Sequence, residues 1–493
     1  MNNVIIYPVH LFDVKLLPKE WKKANIYIIE DPVYWGTDKN LKLNMNQLKL
    51  VLHRASMKYY LEYLKDKGFK NVYYVEEAKL RSGYAFLSGG GPNVQVFDPV
   101  DHTVMNKLKK EVKKRNKELK VIDSPGFLLK EAECLEFLKA RKKGANINHG
   151  HFYSFVKKKL GLIKEIGTKT YDEENRKPLP TGVKIVGIPK MKANKWVKEA
   201  QGYVRQKYGK NYGKVDAFYI PVTHSESQSW FRHFLAKKFA KFGDYQDAIT
   251  QKHPWIFHSV IAPMMNVGLL DPKWVVDETI KYYKKNKRSI GKNDFEGFLR
   301  QILGWREYSR MLYIGLFDEV KGNHFGHKRK LTSSWYTGKL GIEPVDWTIN
   351  VAFETGYLHH ILRLMMMANF MNLCELHPDE VFKWFMEFSM DSYQWVMHNN
   401  IYGMGTYADG GLTMRKPYLS SSNYILNMSD FNKDGEWDVI WTDLFYRFLV
   451  KHENKLKGTP YLRNLAHYKK KSAAEKRELM SRANNFIKRV TRG

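Results

Sequence analysis

Two adjacent histidines, His359 and His360, stand near the head of the apolar run GYLHHILRLMMMANF (356–370), and Arg363 follows three residues after the second. Imidazoles in such a setting pack as hydrogen-bonded core groups, ligate a metal, or move protons beside a buried ligand. If the run is helical, side chains at i and i+1 diverge by about 100°, so the pair cannot easily face one ion. Helical metal sites space their ligands i, i+3 or i, i+4, and HHILRLM has no histidine there. No metal site is expected. Structural packing and acid–base chemistry both stay open on these residues alone. Further on, Asp391 in MDSYQW (390–395) sets a carboxylate in another apolar stretch. Buried there, it needs a hydrogen-bond or charge partner.

The elements around these residues fall into three parts. NVIIY (3–7), NIYIIED (25–31), NVYYV (71–75), NVQVFD (93–98) and KVIDS (120–124) read as short buried strands. Between the second and third, NMNQLKLVLHRASMKYYLEYLKDKG (44–68) repeats apolar residues at helical spacing and stops at a glycine. Alternating strands and helices predict an α/β domain over 1–130, a Rossmann-like parallel sheet covered by helices. No GxGxxG follows the first strand, so a dinucleotide is not held by that device. Residues 131–215 form a helical and irregular basic connector, with little periodicity over 168–196. From 216 to 493 the pattern is helical throughout, with long runs at 227–243, 294–315, 345–370 and 377–397. A further helix, 438–458, precedes a basic tail.

Composition narrows the partners. Lys+Arg number 82 against 51 Asp+Glu, a formal charge of +31, which makes a polyanion the default ligand. The two cysteines, Cys134 and Cys374, lie far apart, which argues against a disulfide framework or a thiolate cluster and for a reducing compartment. No run approaches 18 apolar residues and the N-terminus lacks a signal pattern. A soluble, intracellular protein of cytoplasm, nucleoid or nucleus is expected, with no membrane association and as a monomer.

Five long blocks carry a resemblance: FGDYQDAI (242–249), FHSVIAPMMNVGLL (257–270), EGFLRQILGWREY (296–308), YLHHILRLMMMANF (357–370) and IYGMGTYADGGLTMRKPYLSSSNYILNMSD (401–430). Together they resemble the photolyases and cryptochromes, closest to the bacterial branch that usually carries an iron–sulfur cluster and repairs (6-4) photoproducts. The resemblance implies a U-shaped FAD in an all-α domain over 216–493, and blue-light chemistry. It implies cofactor contacts from Tyr245, from His258, Ser259, Val260 and Ile261 beside the diphosphate, and from Arg306 and Arg363, both read also as ion-pair residues. Asp391 would approach the flavin edge. Asn400, Met404 and Asp409, with Tyr407, Lys416 and Tyr418, would form the closing loop, and Trp305 would stand near the lesion.

On the same resemblance, His360 faces the lesion as proton donor with His359 beside it, where enzymes for cyclobutane dimers generally carry asparagine. Leu364 stands where many eukaryotic (6-4) enzymes add a further histidine. Trp384, Phe385 and Trp335 match an aromatic electron relay, phenylalanine replacing a frequent tyrosine. The cluster cysteines are missing: GIEPVDW (341–347) and SDFNKDGEWDVIW (429–441) occupy their places, so no iron–sulfur cluster is expected. The resemblance also implies an antenna site of lumazine or folate type, with Glu30, Tyr34 and Trp35 as its contacts. UV-damaged DNA is the implied partner, with basic groups at 321–335 and 190–196 beside it. A (6-4) photolyase leads; a blue-light photoreceptor, a cyclobutane-dimer photolyase and a light-independent nucleic-acid scaffold are the alternatives.

Overall fold

The strand stretches form one parallel sheet in the computed structural model, which describes residues 1–141 and 145–493. Its strands are β1 Asn3–Ile6, β2 Asn25–Ile29, β3 Val72–Val75, β4 Asn93–Phe97 and β5 Glu118–Ile122, in the order β3-β2-β1-β4-β5. Central β1 is wholly buried, as a strand covered on both faces must be, while edge strand β5 carries Glu118 and Lys120 to solvent. Glu30, at the end of β2, is committed to Arg54 at 2.8 Å and to the Tyr74 hydroxyl at 2.6 Å. Tyr34 and Trp35 are buried beside it.

Helix Gln47–Asp66 covers the sheet and joins it to the rest of the chain. Asn46 caps it, its side-chain oxygen accepting from Leu48 N, while its amide donates to the Phe353 carbonyl 3.0 Å away in the helical part. The connector holds helices Glu131–Lys139 and His149–Lys159 and an irregular stretch. Its last helix, Lys195–Tyr208, docks back on Gln47–Asp66: Glu199 meets Arg54 at 2.6 Å, and Tyr203 lies 3.5 Å under that guanidinium.

Lys49, on the buried face of Gln47–Asp66, donates its ammonium to the carbonyl of Ser392 and lies 4.9 Å from the Tyr393 ring. Burial pulls its pKa down to about 7. An unfolded lysine stays protonated to about 10.4, so between pH 7 and 10 unfolding takes up a proton and stability rises with pH. Lys49→Met removes that contribution. The unfolding free energy of the variant minus that of the wild type is expected to fall from pH 7 to 10 and to stay level below 7, measured by urea unfolding. A level difference across the whole range would show an ordinary lysine.

The helical part departs from the periodic reading at defined places. The run 345–370 is two helices, because Gly356 leaves Glu343–Thr355 with φ +61°, and helix resumes only at His360. The run 377–397 breaks after Pro378–Phe388 and resumes at Gln394–His398. The two breaks meet: Met390 N–H donates to Gly356 O at 2.8 Å. Three segments, Arg300–Arg306, Leu362–Ala368 and Asn399–Gly405, are π-helical. The expected basic tail is two helices, Tyr461–Lys469 and Ala473–Val490. The second buries Ala483, Phe486 and Ile487, and Thr491–Arg492 pairs antiparallel with Lys330–Leu331. Its apolar residues, spaced three and four apart among the charges, are the signal that total charge hid. No helix among the described residues is long and apolar enough to cross a membrane.

Candidate active site

All three π-helical segments line one cavity in the helical part. It has a larger chamber of about 580 Å³ and a smaller one of about 220 Å³, with Gln301, Trp305, His360 and Asn400 in the walls of both. A π-turn widens the helix and turns side chains out of the 3.6-residue register, and such turns gather at functional sites. Here they deliver Arg300, Gln301 and Trp305 from the first, Arg363, Leu364 and Met365 from the second, and Asn400, Ile401 and Met404 from the third.

His360 stands at the chamber mouth, its side chain 42% exposed. Its Nε2 is 3.0 Å from Asp247 Oδ1 and its Nδ1 3.4 Å from Nε2 of His258. His359 precedes the helix, so its ring swings away from His360 and stacks on His258, centroids 4.4 Å apart and planes 12° from parallel. Burial, before neighbouring charge, holds the pKa of both His258 and His359 well below the usual imidazole range, so both rings are neutral at pH 7. Ligand atoms of the three histidines lie within 4.8 Å of one another. Imidazole lone pairs lie in the ring plane, however, and those of two parallel stacked rings run side by side instead of converging on an ion. The 100° separation assumed an unbroken helix. The break at Gly356 is what lets both histidines reach His258.

Asp391 has the partner its burial demands: Arg363 Nη2 is 2.8 Å from its Oδ1, and the Ser389 hydroxyl also donates to it. Arg363 is further anchored on the Leu358 carbonyl at 2.6 Å. Arg306 lines the smaller chamber and has no ion pair among the described residues. It donates to the side-chain oxygen of Asn266 and, at 3.0 Å, to the Gly126 carbonyl, with its guanidinium 4.8 Å from both the Phe127 and Trp395 rings. Burial lowers its pKa to about 10. Trp305 is stacked on His149 at 3.8 Å.

Of the remaining expected residues, His258, Ser259 and Ile261 line the smaller chamber, Asn400 both, and Met404, Lys416 and Tyr418 the larger. Val260 is buried with φ +56° and lies off the wall. Tyr245 packs on Phe257 in a satellite cluster. Asp409 is spent on its own loop, accepting from Gly411 N, Thr413 N and the Thr413 hydroxyl. Phe385 lines the larger chamber with Trp384 behind it, centroids 5.1 Å apart, and Trp384 donates to the Trp335 carbonyl at 2.8 Å. Both tryptophans are fully buried. The basic run 321–335 is partly spent: Arg329 lies 3.7 Å from Glu375, and Lys330 and Leu331 pair with the C-terminus. Near the expected cluster region Trp347 packs on Phe431 at 5.7 Å, and Trp437 and Trp441 are buried.

Sequence reading gave no role to Asp247, to Gln301, or to the pair Asp172–Arg300, whose members face the larger chamber. FGDYQDAI offers two aspartates, and nothing local separates Asp247, beneath His360, from Asp244, which pairs with Lys177 at 2.9 Å.

Comparison with known proteins places the chain. A family described as deoxyribodipyrimidine photo-lyase-related protein matches residues 4–220. A (6-4) photolyase of Agrobacterium fabrum (strain C58 / ATCC 33970) is 31% identical over 380 residues, 74% of this chain and 74% of that protein. The chain belongs to the photolyase–cryptochrome family. Among solved structures of the fold, a bacterial class III photolyase from Agrobacterium tumefaciens aligns over 99% of this chain and 98% of its own, with TM-score 0.56 at 14% identity. The Synechocystis sp. PCC6803 cryptochrome aligns over 97% and 94%, with TM-score 0.55 at 12% identity. Both structures share the sheet-then-helices architecture described above.

Proposed function

We propose that this photolyase-family protein is a blue-light-driven (6-4) photolyase that binds FAD and UV-damaged DNA. The observation that carries this reading is His360, half-exposed at the chamber mouth between a carboxylate and a neutral imidazole. Reversing a (6-4) adduct moves a hydroxyl from one base to its neighbour and is redox-neutral overall. Beyond an electron lent and recovered, it needs a group that lends a proton and takes it back.

The chamber residues suit a flavin dinucleotide. Among the described residues, Gln246 Oε1 and His258 Nδ1 are buried and make no hydrogen bond, which favours a polar ligand beside them. Ser259 and Arg306 offer donors to a diphosphate, and the Arg363–Asp391 pair presents both charges to a ring edge. When bound, reduced FAD supplies the photoexcited electron. Phe385 at the chamber wall, Trp384 packed against its ring and Trp335, whose carbonyl accepts from Trp384, are the residues proposed to relay electrons to the flavin. Trp305 and Met404 offer flat and apolar surface to a flipped base, and Lys416 offers its charge to a phosphate. Two cysteines cannot supply the four thiolates of a cluster. Any antenna must bind without Glu30, whose carboxylate is spent on Arg54 and Tyr74.

The test is blue-light repair by the flavin-reduced protein of two duplexes, one with a (6-4) photoproduct and one with a cyclobutane dimer. Repair of the first alone is expected. Repair of the second alone would assign cyclobutane-dimer chemistry, and flavin photoreduction with repair of neither would make the protein a photoreceptor.

A further inference from the structure

A second cleft, of about 500 Å³, lies outside the chambers between the connector and helix Pro272–Lys285. Five lysines line it, Lys164, Lys169, Lys284, Lys287 and Lys292, against a single carboxylate, Glu165. Glu165 is already paired with Lys284 at 2.7 Å, and Lys169 reaches Glu174 at 3.7 Å. Among the described residues, Lys164, Lys287 and Lys292 have no carboxylate within ion-pair distance. Three uncompensated ammonium groups around one hollow repel one another, and a polyanion relieves that repulsion. Lys292 is also the first residue of helix Lys292–Leu299, where a positive charge opposes the helix dipole, so helix stability gives no reason for it. The floor has flat faces: Tyr283 stacks on Phe295 at 4.0 Å, and the Lys169 ammonium lies 4.6 Å over Tyr171.

The cleft is tied to the larger chamber by two stretches of chain. Tyr171 lines the cleft and the next residue, Asp172, lines the chamber. Helix Lys292–Leu299 runs on into the π-segment that carries Arg300, Gln301 and Trp305. Eight residues of helix separate Lys292 from Arg300, about 12 Å. At about 3.4 Å per nucleotide along one strand, that is roughly three to four nucleotides.

We propose that this lysine cleft holds the backbone phosphates of the DNA strand running away from the lesion chamber, three to four nucleotides from the damaged site. The proposal rests on the DNA-repair reading above. Phosphate contacts of this kind set register and affinity without reading sequence.

The experiment uses the flavin-loaded full chain with two duplexes, one bearing a single (6-4) photoproduct and one undamaged, from 50 to 200 mM salt. A cleft variant, Lys164→Ala/Lys287→Ala/Lys292→Ala, is compared with a control of equal charge change, Lys109→Ala/Lys110→Ala/Lys113→Ala. The control residues are exposed on helix His102–Lys113, which covers the sheet domain. Each lost phosphate contact lowers the slope of log affinity against log salt by about 0.9, so the cleft variant is expected to lose about 2 to 3 in slope. It is also expected to bind at least about tenfold more weakly at low salt on either duplex, with the control close to wild type. Equal slopes for the two variants overturn the proposal, whatever the repair activity. If the wild type repairs nothing, a slope lost only by the cleft variant on undamaged duplex still upholds the cleft and sinks the repair reading alone. Unchanged melting temperature and flavin content confirm that both variants fold.

Discussion

His360→Ala is expected to lower light-driven repair of a (6-4) substrate by about 10²–10⁴-fold, the usual worth of a positioned general acid. Flavin content and DNA affinity should stay within a few-fold of wild type. The geometry gives the reason. Asp247 at 3.0 Å orients the ring through Nε2, leaving Nδ1 with a contact of 3.4 Å to His258, at the outer limit of a hydrogen bond. Nδ1 is therefore the nitrogen a substrate can claim. His258 is kept neutral by burial and can accept or donate in turn without holding a charge of its own. Asp247→Asn tests the same relay: the amide can donate to Nε2 and favours the opposite tautomer, so an intermediate loss of repair is expected. Repair undiminished in His360→Ala would sink the acid–base assignment and return the histidines to packing.

Arg363→Met is expected to destabilise the protein by about 3 kcal/mol and to empty the chamber of flavin. Both members of the Arg363–Asp391 pair are largely buried, with side chains 15% and 9% exposed. Breaking such a pair from one side leaves the other charge in a poor solvent, at a cost of about 3–5 kcal/mol, whereas the intact pair gains little over apolar packing. The loss also frees the Leu358 carbonyl just ahead of His359 and His360. Arg363→Met/Asp391→Leu removes the orphaned carboxylate and should recover part of the stability, though not the flavin. Urea unfolding of the four proteins of this cycle and flavin absorbance of each measure both effects. Additive costs would mean that the two residues do not act as a pair.

The five strands and the helix after Asn46 were legible because local pattern dictates them. A β-rich run bounded by turn residues has few other ways to bury itself, and a three–four apolar repeat covers one face of a sheet. The α/β-then-helical order, and the demand of Asp391 for a partner, follow from the same local physics. Where a long apolar run breaks is different. Gly356 was in plain view, but its break depends on Leu48 and Met390 packing against it, 3.4 and 3.0 Å from where a Cβ would stand. A π-turn shifts the hydrogen-bond step by one residue inside a stretch that still reads as helix, so no periodicity reveals it. The chemistry of His360 is set by Asp247, 113 residues away, and by His258, 102 residues away. A single chain's local pattern does not encode which of several aspartates or histidines will meet across a cavity, because that contact is fixed by the packing of whole helices. Residue type made proton transfer possible here, and tertiary structure selected the residues positioned to carry it out.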